Sequence, residues 1–456
     1  MKAFKAYDIR GIYNEDFEKE DVYRIGYFLP QLLDADKILV GYDDRESTPE
    51  IFDALCQGIS DRGKDVINIG YSTTPMVYFA TAQGDYKASV MITASHNPPE
   101  YNGLKISREN ALPVGYESGL DKLEELIQTE DFKPENVFGG VLKKDVKSEY
   151  IEFLKQYLPD LSDLSLAVDC SNGMSGLLIK DVLGDKPIYL NEEIDGTFPN
   201  HEANPLLEKN RETLKKTVLE NGCDLGIIFD GDGDRVMFID EQGDFISPDL
   251  IVAVIAGYFL KDNPGGDVLY DIRTSWSVRE YVEEHGGTAH MWKVGHAYAK
   301  RKMRELDCIC GGELAGHYYF KDFHYCDSGM LACLIVLNEV ARLKKKEIPF
   351  SKFIDEIDRY CYSGEINFQI KDKVKAMKDL KEYIQEKEDP VEIHDFDGFR
   401  LEFRNWWFNV RPSNTEPYLR LVVEARHDDL MKEKVEEIKN FFIEKYSLTE
   451  DNIEED

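Results

Sequence analysis

The fold prediction starts from Ala88-Ser89-Val90-Met91-Ile92 and the segment that follows, Thr93-Ala94-Ser95-His96-Asn97-Pro98. The first segment is a short apolar run, which predicts a buried strand. The second ends any regular element at its Asn-Pro pair. The sequence therefore predicts an exposed turn at a strand end, with Ser95 and His96 side by side. Because loops on a rigid scaffold often carry catalytic groups, Ser95 is a candidate reacting serine. An ordinary turn with a polar serine is the alternative.

A second turn carries three aspartates at alternate positions, in Asp230-Gly231-Asp232-Gly233-Asp234-Arg235. The apolar runs on both sides of it, 225–229 and 236–239, predict strands. Carboxylates this close repel one another, and a hard cation removes that repulsion. Since Mg2+ prefers oxygen ligands, the turn predicts a magnesium site. A solvated acidic hairpin is the alternative.

A calcium loop of the EF-hand type is a further alternative for the same turn, because Asp230, Asp232, Asp234 and Glu241 match four of its ligand positions. We exclude it on two grounds. Arg235 stands where that loop requires glycine, and the flanking segments predict strands rather than helices.

Two more loops carry polar groups suited to a sugar phosphate. The loop Gly311-Gly312-Glu313-Leu314-Ala315-Gly316-His317 offers a carboxylate and an imidazole to sugar hydroxyls. The loop Arg411-Pro412-Ser413-Asn414-Thr415-Glu416-Pro417 follows a predicted strand and combines a guanidinium with hydroxyl and amide groups. Arginine can bind two phosphate oxygens at once, so this loop is a candidate phosphate cradle. Taken alone, each loop could equally be a polar turn.

In this order, the four loops resemble those of the α-D-phosphohexomutase family. The resemblance begins at Ala6-Tyr7-Asp8-Ile9-Arg10-Gly11 and runs to Pro417, so it covers nearly the whole chain. From Glu313 through Gly329, including His324-Tyr325-Cys326-Asp327-Ser328-Gly329, the chain looks most like bacterial phosphomannomutases. The family usually has serine where this chain has Ala315, which affects the expected sugar preference and not the expected catalysis.

The expected fold class is α/β with four domains around a central cleft. Predicted strands alternate with helices in three similar segments, which indicates mixed or parallel sheets. A smaller α+β segment follows, and the family has this four-domain organisation. The expected domains are residues 1–142, 143–244, 245–354 and 355–456. Each domain carries one of the four loops, and the acidic tail at 450–456 is expected to be disordered.

The resemblance implies a phosphohexomutase. Such an enzyme interconverts hexose 6-phosphate and hexose 1-phosphate, here mannose and also glucose, through a phosphoserine and a bisphosphate intermediate. Phosphoglucosamine mutase, a non-catalytic sugar-phosphate sensor on the same fold and a serine phosphatase-like hydrolase are the alternatives. A sensor would be expected to have lost Ser95 or one of the aspartates, and all are present.

The resemblance also assigns roles to individual residues. Ser95 is the implied nucleophile, with His96, Arg10 and Lys105 near the reacting phosphate. One Mg2+ ion is implied on Ser95, through its phosphate, and on Asp230, Asp232 and Asp234. The implied substrate-binding residues are Tyr7, Lys293, His296, Glu313, His317, Arg411, Ser413, Asn414 and Thr415. Hexose 1,6-bisphosphate is the implied activator and intermediate. Which group transfers the proton stays open.

The composition agrees with this interpretation. The chain has 55 Lys and Arg against 88 Asp and Glu, a net charge of −33, which repels nucleic acid and anionic membranes. We expect neither as a partner, and expect basic groups to be concentrated at the site. The sequence contains no apolar run of about 18 residues and no signal-peptide pattern at its start. Eight scattered cysteines predict reduced thiols. We therefore expect a cytoplasmic protein, monomeric or dimeric.

Overall fold

The computed structural model describes residues 2–413, 418–449 and 452–455. Within these residues the chain forms four sheets in succession, and helices pack on each of them. The first three sheets mix parallel and antiparallel pairs, whereas every strand pair of the fourth is antiparallel. The expected fold class, three α/β domains and a smaller C-terminal domain, is confirmed.

The first domain has a seven-stranded sheet in the order β1-β5-β4-β2-β3-β7, with β6 on β5. All five residues of β4 are buried, as its apolar sequence predicts, and the turn at Ser95 begins shortly after the strand ends at Ile92. The elements are β1 (Ile9–Ile12), α1 (Lys19–Leu33), β2 (Lys37–Tyr42), α2 (Thr48–Asp61), β3 (Asp65–Tyr71), α3 (Thr74–Gln83), β4 (Ala88–Ile92), β5 (Tyr101–Arg108), β6 (Leu112–Pro113), α4 (Leu120–Thr129) and β7 (Val141–Lys143).

The second domain has a five-stranded sheet in the order β12-β11-β10-β8-β9. Strands β10 and β11 form the antiparallel hairpin whose turn carries the three aspartates. The elements are α5 (Lys147–Lys155), β8 (Leu166–Asp169), α6 (Ile179–Leu183), β9 (Ile188–Leu190), α7 (Glu208–Asn221), β10 (Leu225–Phe229), β11 (Val236–Asp240) and β12 (Phe245–Ile246).

The third domain has the sheet order β14-β13-β15-β16-β17, and the predicted sugar loop joins β15 to β16. Helices α8 and α11 are apolar nearly all round and pack in the core shared by the first three domains. The elements are α8 (Pro248–Leu260), β13 (Asp267–Asp271), α9 (Trp276–Glu284), β14 (Thr288–Trp292), α10 (His296–Leu306), β15 (Cys310–Gly312), β16 (Tyr318–Phe320), β17 (Cys326–Asp327), α11 (Gly329–Lys344) and α12 (Phe350–Ile357).

The fourth domain has its own core and the sheet order β20-β21-β22-β23-β19-β24, with β18 on β23. The predicted phosphate loop joins β22 to β23. The elements are β18 (Cys361–Tyr362), β19 (Ile366–Phe368), α13 (Lys373–Gln385), β20 (Glu392–His394), β21 (Phe399–Glu402), β22 (Trp406–Pro412), β23 (Leu419–Ala425), α14 (Asp428–Tyr446) and β24 (Ile453–Glu455).

The prediction of a disordered tail over 450–456 is wrong for the part that the structure describes. Residues 453–455 form β24, which pairs with β19 at the edge of the fourth sheet. Ile453 packs against the apolar core of that domain. An edge strand offers unpaired backbone groups, and a strand that buries one face has a specified register, so the contact of Ile453 with the core favours the observed pairing. Residues 450, 451 and 456 lie outside the described residues.

Two of the expected domain boundaries fall inside secondary-structure elements. The boundary after residue 142 divides β7, which pairs with β3 of the first sheet. The boundary after residue 354 divides α12, which packs on α8 and α9 of the third domain. We therefore propose boundaries just beyond these two elements. Among the described helices, none is both long and apolar enough to cross a membrane.

Candidate active site

Ser95 lies at the end of β4 in a strained backbone conformation. Its φ is +54°, and its side chain is buried, not exposed as the turn pattern predicted. Its Oγ donates a hydrogen bond to Asp230 Oδ2 at 3.1 Å, and His96 Nδ1 lies 3.3 Å from the same Oγ. A left-handed backbone costs a residue with a Cβ about 1 kcal/mol. The surrounding structure therefore holds this serine in place.

Arg45, which no motif in the sequence identifies, holds the serine loop through its backbone carbonyls. Its buried guanidinium donates to the backbone carbonyls of Ser95 at 2.9 Å, Asn97 at 2.8 Å and Pro98 at 2.5 Å. Asp43 Oδ2 accepts from Arg45 Nε at 3.1 Å. One side chain therefore fixes three successive parts of the loop, and because these partners are distant in sequence, no local pattern predicts it.

The aspartate turn is fixed by backbone contacts to the first and second domains. Thr74 N donates to Asp232 O at 2.9 Å, and Met174 N donates to Gly231 O at 2.8 Å. A Cβ on Gly231 would lie 2.4 Å from Ser95 O, so only glycine allows the two loops to approach this closely. The turn and the serine loop thus form one rigid unit.

The three carboxylates are buried and form ion pairs with two basic side chains. Lys105 Nζ lies 2.6 Å from Asp232 Oδ2 and from Asp234 Oδ2, and Arg235 Nε donates to Asp230 Oδ2 at 3.0 Å. Burial, and then the charges of Asp234 and Asp232, raise the pKa of Asp230 to about 7. Burial also opposes ionisation of Asp232 and Asp234, but Lys105 outweighs it and lowers the pKa of both.

This cluster fits a small divalent cation. Oxygen atoms of Asp230, Asp232 and Asp234 all lie within 4.8 Å of one another. Asp232 Oδ1 and Asp234 Oδ1 are buried, and neither has a hydrogen-bond partner in the described part of the chain. Buried carboxylate oxygens need a partner, and a set made only of oxygens suits Mg2+.

Three basic side chains gather next to Ser95 in this otherwise acidic chain. Lys105 and Arg235 contact the aspartates, and Arg10 Nη1 donates to Asn97 Oδ1 at 2.9 Å in the serine loop. Burial, followed by the charges of Arg235 and Arg10, lowers the pKa of His96 well below its usual range. His96 is therefore neutral and can exchange a proton with a group at Ser95 Oγ.

In the sugar loop, both oxygens of Glu313 already have protein donors. Tyr319 OH donates to Oε1 at 2.6 Å, and Gly295 N donates to Oε2 at 3.0 Å. The side chain is buried, and burial is the main cause that raises its pKa. Each carboxylate oxygen has a further lone pair, so the group can still accept from sugar hydroxyls.

His317 lies between the sugar loop and the aspartate turn. Its Nδ1 is 2.8 Å from Asp327 Oδ2 and 3.8 Å from Asp234 Oδ1. Burial works against its charge, but Asp234 and Asp327 prevail and raise its pKa. Lys300, buried and 2.6 Å from Asp327 Oδ1, completes this ionic chain. The sugar-hydroxyl contact expected of His317 stays a prediction, and no pattern in the sequence indicates its two carboxylate partners.

Tyr7 of the first domain reaches the loop before α10 in the third. Its OH donates to Val294 O at 3.3 Å. Its ring also packs against Gly295, which has a φ of +125°; a Cβ added to this glycine would lie only 2.7 Å from the Tyr7 ring. The His296 ring lies 5.7 Å from that of Tyr7, edge to face. Burial and then Lys300 lower the pKa of His296. Lys293 Nζ lies 5.5 Å from the centre of the Tyr298 ring.

The fourth domain contributes a group of arginines around one carboxylate. Arg411 is buried, and its Nη2 lies 3.7 Å from Glu365 Oε2. Arg273 Nη1, from the third domain, lies 3.6 Å from the same oxygen, and Arg420 Nη1 lies 2.7 Å from Glu365 Oε1. Burial and then Arg273 lower the pKa of Arg411. Like charges held this close favour an anion, as the predicted phosphate loop requires.

The structure describes only part of the predicted phosphate loop. Ser413 is buried, and its backbone N donates to Tyr418 O at 2.9 Å. Asn414 and Thr415, two of the implied phosphate ligands, lie outside the described residues. Among the described residues, the fourth domain contacts the third through Asp397, whose Oδ2 accepts from Val294 N at 2.9 Å. All four domains therefore contribute to one polar site.

A nucleophile candidate beside a divalent-cation cluster, combined with a separate group of arginines for an anion, defines a metal-assisted phosphoryl-transfer enzyme. The chain belongs to the phosphoglucomutase/phosphomannomutase family. It matches the family's α/β/α domain I over residues 1–134, domain II over 148–243, domain III over 247–360 and the C-terminal domain over 365–441. The resemblance stated from the sequence is thereby confirmed.

Similar proteins cover nearly the full chain. A phosphomannomutase of Methanocaldococcus jannaschii is 37% identical, over 96% of this chain and 97% of its own. A phosphomannomutase of Vibrio cholerae serotype O1 is 38% identical over the same shares. The structure of a phosphoglucomutase/phosphomannomutase family protein from Burkholderia thailandensis matches with a TM-score of 0.87 and 29% identity, over 97% of each chain.

A more distant structure shares the fold. Aspergillus fumigatus N-acetylphosphoglucosamine mutase, determined in complex with GlcNAc-6P and magnesium, matches with a TM-score of 0.56 and 14% identity. The match covers 80% of this chain and 90% of the fungal one.

Proposed function

We propose that this chain interconverts hexose 6-phosphate and hexose 1-phosphate, with mannose as its main sugar and glucose as a second one. The observation that carries the proposal is the placement of Ser95 Oγ 3.1 Å from Asp230, in a cluster that fits Mg2+. The phosphomannomutases at 37% and 38% identity support mannose.

In the proposed reaction, Ser95 carries a phosphoryl group and transfers it to the free hydroxyl of a hexose monophosphate. A Mg2+ ion on Asp230, Asp232 and Asp234 would supply charge stabilisation to the transferring group. Lys105 and Arg10 add positive charge beside it, and His96, 3.3 Å from Ser95 Oγ, can hold or release a proton there.

The transfer leaves a hexose 1,6-bisphosphate and an unmodified Ser95. The bisphosphate reorients in the cleft so that its two phosphates exchange places. Its other phosphoryl group is then transferred to Ser95, which restores the phosphorylated enzyme. We propose that Arg411 and Ser413, with Asn414 and Thr415, hold the non-reacting phosphate in both orientations. Tyr7, Lys293, His296, Glu313 and His317 would surround the sugar. Added hexose 1,6-bisphosphate should act as an activator, since it rephosphorylates an enzyme that has lost its phosphate.

We expect the sugar specificity to be broad at C2. A ligand that binds in two flipped orientations is best held through its phosphate and through O3 and O4, and Glu313 is the natural acceptor for those two hydroxyls. Discrimination at a hydroxyl that makes no bond is weak. A coupled assay on mannose, glucose and glucosamine phosphates should therefore give kcat/KM values for mannose and glucose within about a hundredfold.

In the same assay, Glu313→Ala should impair turnover of mannose and glucose phosphates to a similar extent. Two results would contradict the proposed specificity. One is turnover of a single hexose with none of the other. The second is glucosamine 6-phosphate as the best substrate, which would identify a phosphoglucosamine mutase.

Arg411→Ala should raise KM for hexose phosphates about tenfold to a hundredfold, because charge-assisted bonds to phosphate contribute about 1.5–3 kcal/mol each. Substrate should protect the wild type from proteolysis, and Arg411→Ala should lose that protection. Arg404→Ala is the matched control, since Arg404 is exposed and lies at the other end of β22, in the turn that joins β21 to β22. An unchanged KM in Arg411→Ala would exclude the phosphate role.

A further inference from the structure

The carboxylate of Glu313 has a fixed orientation, and two different groups fix it. Gly295 N holds Oε2 from the loop before α10, while Tyr319 OH holds Oε1 from β16. The backbone donor cannot be altered by a side-chain substitution. Among the described residues, the Tyr319 hydroxyl is the side-chain donor through which the orientation of Glu313 can be changed without changing Glu313 itself.

Tyr319 is placed for this contact by its strand. In β16 the side chains of Tyr318 and Tyr319 point to opposite faces of the sheet, because the side chains of a strand alternate. Tyr318 packs in the large apolar core, whereas Tyr319 stacks on His317 with ring centres 6.3 Å apart. On the neighbouring strand β15, the residue opposite Tyr319 is Gly311. A Cβ added to Gly311 would lie only 2.7 Å from Leu269 O, so glycine fits this position.

On its other side, Tyr319 pairs in register with Asp327, the residue that contacts His317. This cross-strand pair thus supports both candidate sugar-contacting side chains, Tyr319 through Glu313 and Asp327 through His317. The hydroxyl of Tyr319 is fully buried, and a buried hydroxyl needs a partner. Glu313 supplies that partner, so the two groups fix each other.

We propose that Tyr319 is a positioning residue for the mutase reaction, whose hydroxyl orients the Glu313 carboxylate toward the O3 and O4 hydroxyls of the hexose phosphate. This inference rests on the proposed function and adds a residue to the site. With Oε1 held at one lone pair by Tyr319, each oxygen presents its remaining lone pair in a set direction. The carboxylate is then ready to accept two neighbouring hydroxyls in either orientation of the ligand.

The test is Tyr319→Phe, which removes one oxygen atom and leaves the ring in place. We expect kcat/KM for mannose 1-phosphate to fall about tenfold to thirtyfold, mostly through a higher KM, and kcat/KM for glucose 1-phosphate to fall equally. Tyr318→Phe is the matched control. It removes a hydroxyl from the adjacent, equally buried residue, and that hydroxyl has no hydrogen-bond partner in the described part of the chain. Its kinetics should equal those of the wild type.

Deoxy substrates separate positioning from a general structural effect. With 3-deoxy- and 4-deoxymannose 1-phosphate, one of the two bonds to Glu313 is already absent, so Tyr319→Phe should cost much less than with the parent sugar. An equal loss on parent and deoxy sugars would overturn the inference, as would unchanged kcat/KM on the parent. If the wild type turns over no hexose phosphate at all, the proposed function fails instead, and this inference fails with it. Normal wild-type turnover with an unaffected Tyr319→Phe contradicts the inference alone.

Discussion

Ser95→Ala is expected to lower turnover at least about a thousandfold, because the proposed reaction passes its phosphoryl group through this one oxygen. Freshly purified wild-type protein should show a partial species heavier by about 80 Da, one phosphate, in its intact mass. That species should be missing from Ser95→Ala. We expect no neighbouring hydroxyl to replace the nucleophile, since Asp230 and Arg45 both bond to Ser95 and hold it at the site.

Ser95→Gly gives a sharper form of the same test. At a φ of +54°, glycine is unstrained, whereas serine costs about 1 kcal/mol. Ser95→Gly should therefore be as stable as the wild type or more so, while losing activity as completely as Ser95→Ala. A variant with a higher Tm and no turnover shows that the serine is kept for chemistry at the expense of stability.

The control for both variants is Ser89→Ala, in β4, where the serine is equally buried and accepts a hydrogen bond from Thr81. Ser89→Ala should keep near-normal turnover and the heavier species. Substantial mutase activity in Ser95→Ala or Ser95→Gly would mean that another group carries the phosphate.

The elements that the sequence predicted well are those with a local signal. The apolar runs before Ser95 and around the aspartate turn became β4, β10 and β11, because a run this short between breakers favours a buried strand over a helix. The family resemblance then fixed which four loops share one cleft. For each strand and for each single loop motif, the sequence signal lies within about ten consecutive residues.

The supporting contacts of the site could not be predicted in this way. Arg45 reaches the serine loop across 50 residues of sequence, and Lys105 meets Asp232 across 127. The first contact depends on how distant segments of one domain pack, and the second on how two domains dock. No local periodicity encodes either arrangement. The burial of Ser95 has the same origin, since the turn is covered by Gly231 of the next domain. The local pattern predicted an exposed Ser95 because turns usually lie on the protein surface.

Removal of divalent cations is expected to abolish turnover, and added Mg2+ should restore it. The charge balance at the cluster gives the reason. Three buried carboxylates face two basic side chains, Lys105 and Arg235, and a phosphorylated Ser95 adds about −2 beside them. Lys105 contacts Asp232 and Asp234 through their Oδ2 atoms only. The other oxygen of each is buried without a hydrogen bond among the described residues, a cost that a cation removes.

Asp232→Asn should weaken Mg2+ binding at least about tenfold and lower turnover. The amide keeps an oxygen that can ligate the metal but loses the negative charge of the carboxylate. A readout independent of activity is available, since a ligand that binds only the folded state stabilises it. Mg2+ at a hundred times its Kd should add about 2.7 kcal/mol to the free energy of unfolding. The wild type should show the matching rise in Tm, and Asp232→Asn should show little of it at the same concentration.

The charge-matched control is Asp244→Asn, on an exposed turn of the same domain, which should respond to Mg2+ as the wild type does. The comparison also distinguishes a bound ion from general screening. Screening by salt would affect Asp232→Asn and Asp244→Asn alike, and would raise the Tm of the wild type equally with Na+ at matched ionic strength. Full turnover in metal-free buffer, or a Tm that responds to Mg2+ no more than to Na+, would contradict a Mg2+ site on these three aspartates.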